Sequence, residues 1–201
     1  MTEIVRSELA RVATRRQWDG ASLYAVVSLL TERSFRCDAG STRWSPTDTR
    51  IGLFQLQEHQ ARALGVTPTV HPPIGVREQW QGSWATWTLA HMSVEDQVGI
   101  IETHLARAFE RRAPKVPVDY YLAAWGAAPG LPDGTVIAVE GDSTFERAKE
   151  LDGDRDGKIA VADLSRALER EMRRTNPREP GPFYEAMWAL FCFGIGRRFL
   201  K

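Results

Sequence analysis

The chain lacks a dominant charge. Its 26 Lys and Arg are matched by 26 Asp and Glu, so the formal net charge is zero. No global field then attracts nucleic acid or an anionic membrane, and nucleic acid is not expected as a partner. Cysteine is nearly missing. Cys37 and Cys192 are far apart and form no CxxC or other metal-binding spacing. A Cys37–Cys192 pairing stays open, but the disulfide framework of small secreted domains is excluded. No apolar run reaches the roughly 20 residues of a membrane span. The opening residues Met1-Thr2-Glu3-Ile4-Val5-Arg6 lack the apolar core of a signal peptide. The chain is therefore expected to be made and folded in the cytoplasm, whatever its destination. Alternating strand patterns are almost absent too, with one candidate at 135–139.

What remains is helical. With 201 residues the chain can bury a real core, and 43% hydrophobic and 26% charged residues are ordinary globular values. Periodicity predicts a helix over 3–17, with Ile4, Val5, Leu9, Val12 and Ala13 near helical spacing. A second, buried helix is expected over 22–33, capped by Ser22. Residues 37–50 read as a loop. A helix follows over 55–64, stopped by Gly65. Residues 66–88 read as an irregular segment with Trp80, Trp84 and Trp87. Ser93 and Asp96 resemble a capping box at the start of a helix reaching Arg112. Further helices are expected over 118–125, 143–151 and 161–174, with a strongly apolar one over 183–199. Seven Trp residues suit either core packing or a sugar-binding cleft, because their ring faces pack on sugar rings.

Glu32 is the first candidate for chemistry. It ends the apolar run 23–31, and a partly desolvated carboxyl there would stay protonated near neutral pH. Splitting a glycosidic bond needs such an acid. The bland alternative is a surface Glu at a helix C-terminus. A hydrolytic outcome also needs a base for water. Asp38, Asp48 and Glu58 are the nearby carboxylates, and sequence does not choose among them.

The order of motifs adds to this. Glu32-Arg33-Ser34-Phe35 comes first, then Gly52-Leu53-Phe54-Gln55-Leu56, then Tyr120-Tyr121-Leu122-Ala123-Ala124-Trp125-Gly126. Over about 20–140 the chain resembles the soluble lytic transglycosylases of the lysozyme-like proteins, particularly phage-type members. Their pattern is Glu-Ser-x-Phe, Gly-Leu-Met-Gln-Leu and Ala-Tyr-Asn-x-Gly. The resemblance implies a lysozyme-like helical domain acting on peptidoglycan glycan strands. Glu32 would protonate the oxygen between N-acetylmuramic acid and N-acetylglucosamine, then take the C6 hydroxyl proton to close a 1,6-anhydro ring. It further implies that Ser34, Gly52, Phe54, Gln55, Tyr120, Tyr121 and Trp125 line the substrate cleft. Arg33, Trp125 and Gly126 stand where the family carries Ser, Tyr and Asn. The Trp125 and Gly126 departures motivate the alternative of a catalytically inactive lysozyme-fold component of a virion or secretion particle.

A second site is written in Asp152-Gly153-Asp154-Arg155-Asp156-Gly157-Lys158-Ile159-Ala160-Val161-Ala162-Asp163. Oxygen ligands fall at loop positions 1, 3, 5 and 12, with glycine at 6 for the sharp turn. This is the EF-hand pattern for Ca²⁺. Asp152, Asp154, Asp156 and Asp163 are the expected side-chain ligands, and Lys158 offers its carbonyl. Crowded carboxylates repel one another without a cation.

The expected organisation is mainly α. It comprises an N-terminal helix (1–20), a lysozyme-like catalytic domain (21–140), an EF-hand-like calcium segment (141–175) and an apolar C-terminal helix (176–201). That last helix suits core packing or docking to a phage or injection-machine protein. Action at the cell wall or periplasm would then follow delivery by such a particle or release through a holin.

Overall fold

The computed structural model describes residues 2–39, 50–67 and 84–175. The expected C-terminal helix, Cys192, Asp48 and Trp80 lie outside them. The described chain is mainly helical, with eight α-helices and one two-stranded sheet. In order these are α1 (Thr2–Arg16), α2 (Gly20–Leu30), α3 (Glu58–Ala63), α4 (Trp84–Ala90), α5 (Val94–Ala108), α6 (Pro117–Ala124), β1 (Val136–Val139), α7 (Ser143–Ala148), β2 (Lys158–Ala160) and α8 (Val161–Thr175). A 3-10 turn, Lys149–Leu151, follows α7. Among the described residues no helix is long and apolar enough to cross a membrane.

Helix α2 is the axis of the core. Leu23, Ala25, Val26 and Val27 are fully shielded from solvent. Such a helix is apolar all round and must be wrapped by neighbours. Helices α1, α6 and α8 pack against it. Asp19 caps it by accepting from the Ala21 amide, and Ser22 donates its hydroxyl to the same carboxylate. Ser22 is thus a partner of the cap rather than the cap itself. The helix also stops at Leu30, short of Glu32.

Helix α1 is pinned to α5 by Glu102, whose carboxylate accepts from Arg15 and Arg16. Trp18, Phe109 and Tyr120 close the far end of α1 edge-to-face, at centroid separations of 5.3–6.4 Å. The capping box of α5 forms on its Ser93 side, where Ser93 Oγ accepts from the Asp96 amide at 3.1 Å. The helix ends at Ala108, before the expected Arg112. Helix α4 occupies the end of the stretch expected to be irregular.

Helix α8 buries Val161, Leu164, Ala167, Leu168 and Glu171, one face at helical spacing. That face lies on α2 and α6. One continuous hydrophobic cluster therefore joins residues from all three expected segments that are described, 1–20, 21–140 and 141–175.

Candidate functional site

The local sequence after α2 builds a tight turn. Thr31 Oγ1 donates to the Val27 carbonyl and accepts from the Phe35 amide, and Ser34 Oγ donates to the Thr31 carbonyl. Short hydroxyl side chains compete with helical hydrogen bonds in this way and end helices. The Arg33 amide reaches back to the Ser28 carbonyl at 2.7 Å. Glu32 and Arg33 then sit at φ 50° and 66°, two consecutive non-glycine residues in left-handed geometry. Such positions are strained and persist only when their surroundings hold them. Phe35, buried and stacked on Tyr24 at 4.9 Å, anchors the end of the turn.

Glu32 itself is exposed. This corrects the expectation of a carboxyl partly desolvated in the protein alone. The turn lifts it clear of the apolar helix that would have buried it.

The Gly-Leu-Phe-Gln-Leu stretch forms a small closed loop. Ile51 and Leu56 exchange backbone hydrogen bonds, and Gly52 turns the chain at φ 87°. Gln55 Nε2 donates to the carbonyls of Gly52 and Ala39, which ties this loop to the segment after Glu32. The first helical turn expected at Gln55 does not form, because Gln55 is left-handed at φ 49° and α3 begins at Glu58. Phe54 is 1% exposed and meets His104 edge-on in the core.

Behind both segments lies Gln97 at the start of α5, 2% exposed. Its Oε1 accepts from the Leu53 amide, and its Nε2 donates to the carbonyls of Leu89 and Cys37. Sequence reasoning missed this role, since the partners lie 8 to 60 residues away.

These elements enclose one cleft of about 450 Å³. Five of the expected site residues line it: Glu32, Ser34, Gln55, Tyr121 and Trp125. Gly52, Phe54 and Tyr120 do not. Gly52 and Phe54 support the loop from behind. Tyr120 turns into the aromatic cluster of α1 and α5, where its hydroxyl accepts from the Asp19 amide. Tyr121 is buried, and burial pushes its phenol up, so it stays neutral. Trp125 meets Tyr121 edge-on at 5.1 Å, and the Arg50 guanidinium lies 5.7 Å over the Trp125 ring.

Two further carboxylates line the cleft, Asp38 and Glu150. Two hydrogen bonds from Arg36 hold the Asp38 carboxyl below its ordinary range, against a smaller opposing effect of burial. Glu58 does not reach the cleft and pairs with Arg62 on α3. Glu150 was not singled out from sequence, because an isolated Glu before an acidic loop carries no signal. Its neighbour Leu151 also lines the cleft and directly precedes Asp152. The EF-hand-like segment and the cleft thus share a wall.

In that loop, carboxylate oxygens of Asp152, Asp154 and Asp156 lie within 4.8 Å of one another. Gly157 takes the left-handed φ of 79° needed at position 6, and its amide donates to Asp152. Strand β2, which runs through positions 7–9, pairs antiparallel with β1 and sets Ile159 opposite Ala138. The loop obtains its strand partner from residues 136–139. Asp163 is not one of that trio, although its Oδ1 lies 3.7 Å from where a Cβ on Gly153 would sit. Its carboxylate accepts from the Ala160 amide, caps the first turn of α8, and pairs with Arg166. The hard-oxygen donors and the left-handed glycine fit a Ca²⁺ ion, and Asp163 closes the same twelve-residue loop.

Neither a protein-family model, nor a curated protein, nor a solved structure matches this chain.

Proposed function

We propose that the chain is a peptidoglycan-cleaving enzyme of lysozyme-like architecture, a lytic transglycosylase or muramidase, with Glu32 as its acid. One observation carries the reading. A single cleft draws Glu32 and Ser34, Gln55, and Tyr121 and Trp125 from three separate stretches of chain. Those are the stretches whose order resembles the transglycosylases.

The geometry suits the chemistry as follows. A glycan strand in the cleft would take water away from Glu32, and desolvation favours the protonated form of a carboxyl. Glu32 would then give its proton to the glycosidic oxygen as the C–O bond breaks. The resulting carboxylate would take a proton either from the C6 hydroxyl, closing the anhydro ring, or from water. Gln55 and Tyr121 are neutral hydrogen-bonding groups, suited to hydroxyls and acetamido groups. Trp125 offers ring surface to a sugar. Asp38 and Glu150 supply the additional carboxylates that a hydrolytic outcome would use.

Intact sacculi treated with the purified chain are expected to release muropeptides. Mass spectrometry separates anhydro ends from reducing ends. Sacculi that yield no soluble muropeptides would overturn the reading. A second reading is favoured by the exposure of Glu32: a particle component that binds glycan without cleaving it. Binding to sacculi without release would support that alternative. Under either reading the substrate lies at the cell wall, reached through a phage or injection particle or a holin.

Asp152, Asp154, Asp156 and the Lys158 carbonyl would hold Ca²⁺, which would neutralise the clustered carboxylates. Ligand at about a hundred times its dissociation constant stabilises a fold by about 2.7 kcal/mol. For a chain of this size that raises Tm by about 5–10 °C. Calorimetry in calcium against chelator checks this, and coincident melting curves would remove the calcium site.

A further inference from the structure

We propose that Glu171, on α8, is a positioning residue for Glu32: through Ser28 and Arg33 it holds the left-handed turn that carries the acid. The inference rests on the reading of Glu32 as the cleft's acid.

Glu171 is 1% exposed, although it sits on a helix rich in charge. Burial alone would push its carboxyl up. Hydrogen bonds from Arg174, Ser28 and Arg33 outweigh burial and hold it down at about 2. The contacts are specific. Ser28 Oγ donates to Oε1 at 2.5 Å, and Arg33 donates to Oε2 from Nε and Nη2 at 3.3 and 3.1 Å. Arg174 donates from Nε at 3.1 Å to each oxygen, and its Nη2 also reaches Ser28 Oγ at 3.3 Å.

Ser28, in the last turns of α2, and Arg33 are also joined through their backbones. The Arg33 amide donates to the Ser28 carbonyl. Their backbones meet directly, and their side chains meet on one carboxylate. The result is a closed ring of contacts, Ser28 to Glu171 to Arg33 and back to Ser28, with Glu32 inside the span it closes. Two consecutive non-glycine residues at positive φ need such a clamp, since an unconstrained chain relaxes to φ below zero. Because α8 leaves the acidic loop, the clamp also ties that segment to the acid.

A merely structural ion pair would lower stability and leave the turn's geometry and the turnover number alone. Positioning predicts more. Glu171→Gln keeps the shape and loses the charge that orients Arg33. Amide hydrogen exchange at Glu32 and Arg33 is expected to rise about tenfold relative to the amides of α5, a local opening rather than a global one. Cleavage is expected to lose about tenfold to a hundredfold in kcat with KM unchanged, since misplacement of a reacting group by about 1 Å costs that much. Arg33→Met should match it, and the double variant should be no worse than either single one.

Exchange at Glu32 and Arg33 that stays level with α5, or full kcat in folded Glu171→Gln, overturns the proposal. If Glu171→Gln does not fold, Ser28→Ala removes one donor from the same ring, and the same two readouts apply. Glu32→Gln separates the two claims. Full activity in that variant defeats the assignment of Glu32, while the exchange experiment still judges whether the clamp holds the turn.

Discussion

Glu32→Gln is expected to lower the rate of peptidoglycan cleavage by about 10²–10⁴-fold, the usual contribution of a general acid or base. The amide keeps the size and hydrogen-bonding reach of the carboxyl but cannot donate its proton to a leaving oxygen. The effect should fall on kcat, because Gln55, Tyr121 and Trp125 still line the cleft. The fold should be unaffected, since the side chain is exposed and contributes nothing to the core. Release of soluble muropeptides over time measures it. A variant that clears sacculi at the wild-type rate would leave Glu150 as the remaining candidate acid in the cleft, since Arg36 holds Asp38 in its ionised form. The same pair decides the product. A base for water favours reducing ends, whereas reuse of Glu32 on the C6 hydroxyl favours anhydro ends.

The second large effect concerns stability. Gln97→Leu is expected to destabilise the chain by about 3–5 kcal/mol. Leu fills similar volume but leaves the Leu53 amide and the carbonyls of Leu89 and Cys37 without the partner Gln97 gives them. The Leu89 carbonyl keeps the Met92 amide, which leaves the Leu53 amide and the Cys37 carbonyl stranded, at about 1–3 kcal/mol each. For about 200 residues each kcal/mol moves Tm by about 2–4 °C, so a drop of about 6–20 °C follows. Thermal unfolding followed by circular dichroism checks it, and a drop below about 3 °C would show that these groups find other partners. The substitution also removes what holds the Gly52 loop against the cleft. A Cβ on Gly52 would meet Gln97 Oε1 at 2.8 Å, and φ is 87° there. Closeness to Gln97 and left-handed geometry both require glycine at this position.

The Glu171 cluster sets a pH limit of its own. Its folded carboxyl is depressed to about 2 from an ordinary 4.5. The stabilisation is therefore complete above the ordinary value and is lost as pH falls from about 4.5 towards 2. Neutral and mildly acidic conditions leave the clamp intact.

Several features were legible in the sequence because they are local. The acidic loop from Asp152 to Asp163 follows a fixed spacing, and three of its aspartates do converge. The apolar runs mark the helices, and 135–139 carries the one alternating strand pattern, which forms β1. The Ser93 cap was readable four residues at a time. Other features depended on distant partners. Nothing around Glu171 marks it as a buried carboxylate, because its Ser28 partner lies 143 residues earlier. Nothing around Gln97 announces three backbone partners. The helix expected to reach residue 33 stops at Leu30 because Thr31 and Ser34 turn their hydroxyls on the backbone. The left-handed pair that follows depends on the clamp from α8.

By itself the sequence determined the helical class, the order of the three cleft stretches and the acidic loop. All of these depend on residues close together in the chain. Tertiary structure decided which side chains share the cleft. Tyr120 and Tyr121 are neighbours, yet a helix turns roughly 100° per residue, so one enters the cleft and the other the aromatic core. Asp38 and Glu150 share it while Glu58 points to Arg62. Tertiary packing also joined the acidic loop to Glu32, by laying Leu151 along the cleft and Glu171 under the turn. Spacing along a chain describes one element at a time, and the cleft is a property of how α2, α6, α7 and the segments around Asp38, Gln55 and Glu150 come together.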